Sequence, residues 1–193
     1  MLVPLHWRHS ILSEVALSNC LGYSTTFINF EERKIMPISK ILPYYIYDDL
    51  QDWEGRWELI DGIPYAMSPS PIPKHQRISG SLYYEFRRAM NNCKSCIPYM
   101  PLDYLLTIDT ILQPDFLIVC GDVKKKYLDF NPSLIAEVLS PSTALKDRHT
   151  KFGLYEQQGI KYYLIISPDI EEVEVYELEN GQYKLMVKEH SFS

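Results

Sequence analysis

The sequence predicts a mixed α/β domain of the α+β kind, organised around one sheet in the order ββ-α-βββ-α-βββ. Three observations carry that prediction. Asp61-Gly62 and Asn180-Gly181 each separate two strand-like runs, a strong short-range hairpin signal. Ile78, Leu82, Phe86 and Met90 recur every fourth residue, as the buried stripe of a helix requires. Short apolar runs such as "ILQPDFLIVC" (111–120) and "SLIAEVLS" (133–140) have the length and composition of buried strands.

Taken in order, residues 1–35 show no clear period and are set apart as an amino-terminal extension, or as the product of a start assigned too early. One domain is expected over 36–193. Met36 begins a polar, Pro-containing entry into a short helix. From Arg56, "RWELI", the turn Asp61-Gly62 and "IPYAM" form the first hairpin. A Ser- and Pro-rich loop over 68–73 leads to a helix over about 74–91, with Tyr83 beside its apolar stripe. Strands follow near 102–107, 111–119 and 133–139. The segment "PSTALKDRHTKFGLYEQQG" supplies a capped helix that stops at Gly159. "KYYLIIS", "EVEVYEL" and "QYKLMVK" complete the strand set.

The bulk properties narrow the function classes. A chain of 193 residues is long enough for one sizeable core, and 46% hydrophobic with 23% charged residues is globular composition rather than disorder. A formal net charge of −6 excludes a generally basic surface, so nucleic-acid contact would fall to local patches: Lys124–Lys126, Arg87–Arg88, or Lys146 with Arg148. No apolar run approaches the ~20 residues of a membrane span, and Glu14 interrupts the apolar run that a signal peptide would need. Four cysteines do not suggest a disulfide framework, and a reduced cytoplasmic setting is expected. Cys93-Lys94-Ser95-Cys96 is a lone C-x-x-C without a second ligand pair. It reads as local packing, with zinc shared between protomers as the alternative.

The acids inside the apolar runs are the chemical signal. An isolated buried carboxylate costs several kcal/mol unless a partner or a metal compensates it. Strand alternation puts Asp115 on the face of Leu117 and Val119, and Glu137 on the face of Ile135 and Leu139. If the two strands are neighbours, both carboxylates converge, and hard oxygen ligands of this kind suit Mg²⁺ or Mn²⁺. The bland alternative is a turn cap at Asp115 and an edge ion pair at Glu137. Asp147, Lys151 and Tyr155 recur every four residues on one helix face, which either aims a lysine at the acids or forms a solvated Asp147–Lys151 pair.

The runs "WELIDGIPYAMSPSPIPKHQRISGSL", "QPDFLIVC" and "AEVLSPSTALKDRHTKFGLYEQQGIKYYLIISP" resemble the Uma-two-type restriction endonucleases, members of the PD-(D/E)xK nuclease superfamily, over about residues 36–188. The resemblance implies a restriction-endonuclease-like core and a divalent-metal-dependent nuclease. Asp115 matches the Asp of PD and Glu137 the second acid. The lysine two places on is absent, because that position is Leu139; Lys151 on the next helix is the match. Glu58 matches the glutamate of "ELIDG", and either joins the metal site or holds the hairpin to the sheet. His75 matches the helix-start histidine, and either carries a proton or sits in the first turn. The implied chemistry is phosphodiester hydrolysis with Mg²⁺ or Mn²⁺ held by Asp115 and Glu137. The implied partner is nucleic acid, DNA ahead of RNA, with no membrane. A homodimer enters by analogy, since a duplex has two strands to cut. The rival reading is a catalytically silent nucleic-acid-binding or protein-interaction module on the same fold.

Overall fold

The structure is a computed structural model that describes residues 43–67 and 71–190. The expected extension over 1–35 lies outside the described residues. The short helix expected before the hairpin is a single 3-10 helix, Tyr47–Asp52. The hairpin forms as expected: β1 (Trp57–Ile60) and β2 (Ile63–Ala66) pair antiparallel, with Ile60 opposite Ile63. Asp61 and Gly62 have φ of 51° and 75°, the double left-handed geometry of a type I′ turn. Gly62 is required twice over, since a Cβ there would stand 2.3 Å from Cδ2 of Tyr44.

Helix α1 (Pro73–Ala89) follows, and Leu82, Phe86 and Met90 are buried along its stripe. Tyr83 is 37% exposed and lies off that stripe. Five strands come next where three were expected: β3 (Cys96–Tyr99), β4 (Tyr104–Thr107), β5 (Thr110–Leu112), β6 (Phe116–Cys120) and β7 (Leu134–Val138). Strand β3 carries Pro98, tolerable because β3 is the edge of its sheet. The run expected as one strand over 111–119 breaks at Gln113-Pro114-Asp115 into β5 and β6. After β7 the chain winds through a π-helical segment (Lys146–Lys151) into α2 (Phe152–Gln158), which ends at Gly159 with φ of 81°. Strands β8 (Tyr162–Ser167), β9 (Glu172–Glu179) and β10 (Gln182–His190) finish the domain.

The strands make two sheets rather than one. A four-stranded sheet has the order β2-β1-β5-β4, and a six-stranded sheet the order β10-β9-β8-β7-β6-β3. Among the described strands only β7 and β8 pair parallel, joined by the α2 crossover. Period-two alternation gives the larger sheet two apolar faces. Phe116, Ile118, Leu134, Ala136, Leu164 and Ile166 pack under α1. Leu117, Val119, Ile135, Tyr163 and Ile165 pack against Tyr155 of α2 and against Ile60, Leu106 and Leu112 of the smaller sheet. The mixed α+β class therefore stands, with α1 on one face and α2 plus a second sheet on the other.

Cysteine use also differs from expectation. Cys96 and Cys120 are direct partners across β3 and β6, with Cα atoms 4.0 Å apart, and they form a disulfide. The pairing was invisible in the sequence because β3 was. No described helix is long and apolar enough to cross a membrane. Leu134, fully buried at the centre of the larger sheet, tests this layering. Leu134→Ala is expected to cost about 2–5 kcal/mol in urea unfolding; a loss well under 1 kcal/mol would mean the two faces do not pack as described.

Candidate active site

The break at Gln113-Pro114-Asp115 carries the chain from one sheet to the other, and the acids gather at that join. Leu59 pairs with Ile111, so β1 lies along β5. This brings Glu58 beside Gln113, whose backbone N–H donates to Glu58 Oε1 at 3.0 Å. Gln113 is itself braced: its side-chain amide donates to Asp103 Oδ1 at 2.6 Å and accepts from Arg56 Nε at 2.8 Å. On the other side of the join, Phe116 pairs antiparallel with Ala136. Continuing that register by one residue sets Asp115 opposite Glu137. Asp115 Oδ2 accepts the Val138 N–H at 2.9 Å and lies 3.0 Å from His75 Nε2, in the first turn of α1.

Lys151 closes the site. Its Nζ is 2.8 Å from Glu58 Oε1, 2.9 Å from Glu137 Oε1 and 3.4 Å from Asp147 Oδ1. The Tyr155 hydroxyl donates to the same Glu137 oxygen at 2.9 Å. Lys146 pairs with the other oxygen of Glu58. Two lysines five residues apart reach one carboxylate because the segment bearing them is π-wound. In an i→i+5 turn residues five apart nearly align, whereas in an α-helix they diverge. Such insertions are frequent at functional sites.

The electrostatics follow from burial. Glu58, Glu137, Asp147 and Lys151 are all at most 3% exposed. Burial pushes the Glu137 carboxyl well above its ordinary range; Lys151 opposes this, while Asp147, Asp115 and Glu58 reinforce it. Burial likewise raises Asp147 against the pull of Lys151. Glu58 moves the other way: burial would raise it, but Lys151 and Lys146 outweigh burial and hold it low. For Lys151, burial disfavours the charge and is overcome by Glu137, Glu58 and Asp147, so its pKa lies well above that of a free lysine. His75 is raised too, because the Asp115 carboxylate outweighs its desolvation.

The structure thus brings together Glu58, Glu137 and Lys151, and sets the Asp115–His75 pair at the adjoining strand end. Lys151 reaches Glu137 from the helix, while Leu139 packs with the apolar face. Sequence reasoning left three contributors out of the site: Lys146, Asp147 and Tyr155. Asp147 and Tyr155 were signalled by their spacing from Lys151; Lys146 was marked only as part of a basic patch with Arg148, since it is π-winding that turns it toward Glu58. Of the other basic patches, Arg148 pairs with Glu174 and Lys125 with Asp129, 2.7 Å apart.

A divalent cation is tested by charge and by donors. Four carboxyl groups face two ammoniums, so the acids outnumber the lysines of the site. Asp147 Oδ1 is buried with no hydrogen-bond partner among the described residues. All donors are hard oxygens. Among the described residues no three acids or histidines yet converge on one point, because Lys151 stands between them. The donor chemistry is of the kind a hard dication takes, while Lys151 holds the middle of the site.

Residues 45–191 match the family model of Uma2, described as a putative restriction endonuclease. The chain belongs to the Uma2 family. An uncharacterized Synechocystis sp. protein, slr1290, is 30% identical over 148 residues, 72% of this chain and 75% of that protein. The crystal structure of a putative nuclease belonging to DUF820 from Anabaena variabilis superposes with a TM-score of 0.62 at 17% identity, covering 73% of this chain and 83% of that one. That likeness establishes a shared fold, and Uma2 membership places the chain in a family described as putative restriction endonucleases.

Two outcomes are expected of this Uma2 site. Lys151→Met strands three buried carboxylates and should cost about 3–5 kcal/mol in urea unfolding at neutral pH with chelator; an unchanged midpoint would refute the central role of the ammonium. For Glu137, the folded protein binds the proton more tightly than the unfolded chain. Its ionisation therefore removes stability as pH rises from the unfolded carboxylate range, about 4.3, through the folded pKa. The melting temperature of Glu137→Gln relative to wild type, both metal-free, should climb as pH rises above the unfolded carboxylate range, about 4.3. A flat or falling difference would contradict the raised carboxyl.

Proposed function

We propose that the protein is a divalent-metal-dependent nuclease that hydrolyses phosphodiester bonds in DNA. One observation carries the reading: Asp115 and Glu137 stand opposite each other where β6 begins and β7 ends, and the Lys151 ammonium rests on Glu137 at 2.9 Å. That proximity supports reading Asp115, Glu137 and Lys151 as the acid pair and lysine of a nuclease, with the lysine supplied from a different element.

Asp115 and Glu137 would hold Mg²⁺ or Mn²⁺, with Glu58 as a further oxygen donor. A bound metal supplies an acidified water and neutralises charge at the phosphate. The protein's own groups do the rest. Val138 N–H and His75 fix the Asp115 carboxylate, which selects the direction its free oxygen presents. Tyr155 does the same for Glu137 from a fully buried position. Lys151 keeps its proton throughout the neutral range and can hold a phosphate oxygen as negative charge builds there. His75 orients Asp115 and is the titratable group best placed to exchange a proton at that edge.

Calorimetric titration of Mn²⁺ tests the reading. Saturable binding is expected in wild type, weakened at least ~10-fold in Asp115→Asn and in Glu137→Gln. Mg²⁺-dependent cleavage of plasmid DNA should fall by about 10²–10³ in the same variants and in Lys151→Met. Absence of Mn²⁺ binding, both alone and with a non-cleavable oligonucleotide present, would overturn the proposal.

A further inference from the structure

The first hairpin presents more than Glu58 to the site. Glu58 and Tyr65 are direct partners across β1 and β2, so their side chains share one face with Cβ atoms about 4.5–5.5 Å apart. Burial divides them: Glu58 is 0% exposed, and Tyr65 is 40% exposed. Ile63, two residues earlier on the same face, is also 40% exposed. Among the described residues strand β2 is the edge of the smaller sheet, which leaves this side of the hairpin open. Lys146 links the buried and open parts, pairing with Glu58 while its Nζ lies 5.5 Å from the centroid of the Tyr65 ring. An exposed ring, an exposed branched apolar side chain and a partly exposed ammonium therefore form a ledge next to the acid cluster.

We propose that Tyr65 and Lys146 bind an unpaired nucleotide adjoining the scissile phosphate, the ring stacking on the base and the ammonium meeting the neighbouring phosphate. This rests on the nuclease reading and adds a substrate class to it: a strand that is single or splayed at the site. The chemistry sets that class. The faces of a paired internal base are covered by its neighbours, so a ring reaches one only when the strand is single-stranded or opened. Stacking on an exposed aromatic is indifferent to sequence. A phosphate drawn toward four carboxylates also needs a cation at the approach, and the chain has no general basic surface to provide one; Lys146 is positioned for it.

Fluorescence anisotropy with a labelled single-stranded oligothymidylate and a blunt duplex of equal length tests this, in the Glu137→Gln background with Mg²⁺. The single strand is expected to bind more tightly than the duplex. Adding Tyr65→Ala should weaken single-strand binding about five- to a hundredfold, while Tyr65→Phe retains it. Tyr65→Trp should gain an indole signal quenched by the single strand, a response that a purely structural tyrosine would not give. Equal binding by Tyr65→Ala and its parent overturns the ledge and leaves the nuclease reading intact. So does a preference for blunt duplex, or a loss in Tyr65→Phe as large as in Tyr65→Ala. Failure of the parent to bind either probe overturns the ledge, and the Mn²⁺ titration of the wild type then decides the nuclease reading separately.

Discussion

An ammonium shared among buried carboxylates is the interaction around which this molecule is arranged. Lys151 lies within 2.8 Å, 2.9 Å and 3.4 Å of oxygens from Glu58, Glu137 and Asp147, each delivered by a different element. β1 of the smaller sheet brings Glu58, β7 of the larger sheet Glu137, and the π-wound segment Asp147 and the lysine itself. Charges buried this deeply are tolerable only when paired and hydrogen-bonded. The ammonium is therefore a condition for the two sheets and the crossover helix to meet as they do. Apolar packing on both faces of the larger sheet supplies the driving force, and the smaller sheet meets it through Ile60, Leu106 and Leu112 as well as through the ion pairs of Glu58.

That arrangement carries a residual cost which points toward function. The acids outnumber the ammoniums, and the imbalance falls on Glu137 and Asp147, whose carboxyls are both raised, while Glu58 is held low by two lysines. A structure selected for stability alone would replace such a group with well-packed apolar side chains, which is often neutral or favourable. Strain of this kind is characteristic of sites that must receive charge. Tyr155, a buried hydroxyl fixing one of the acids, and Asp115, anchored by a backbone N–H, are the corresponding investments in geometry.

Local chemistry was legible in the sequence, and long-range placement was not. The Asp61-Gly62 and Asn180-Gly181 turns, the α1 stripe through Leu82 and Phe86, and the stop at Gly159 each depend on a few adjacent residues, and each is found in the structure. The oddity of Asp115 and Glu137 inside apolar strands was equally visible, because burying a charge has no local excuse. The division of residues 111–119 between two sheets was hidden, since both halves are apolar and only Pro114 marks the break. Glu58 offered two roles in "WELI", and deciding its surroundings required the pairing of Leu59 with Ile111, far along the chain. Lys146 was illegible for a different reason: a helical wheel at α-periodicity turns it away from Lys151, and nothing in "LKDRHTK" announces π-winding.

The hairpin shows how one constraint serves several ends. Antiparallel pairing forces directly opposed residues onto a common face, so any geometry that aims Glu58 into the join also aims Tyr65 along it. Burial on that face follows the strand: β1 has β5 beside it and is covered, while β2 has no neighbouring strand among the described residues and is open. A gradient from dry carboxylate to wetted aromatic within one pair of strands follows without further design. Lys146 spans that gradient, its charge fixed by Glu58 at one end and its approach to solvent lined by the Tyr65 ring at the other. The π turn that puts Lys146 there also delivers Lys151. A single extra residue of helical winding thus sets both the interior cation and the cation at the rim, and a return to regular α-helix would displace the two together.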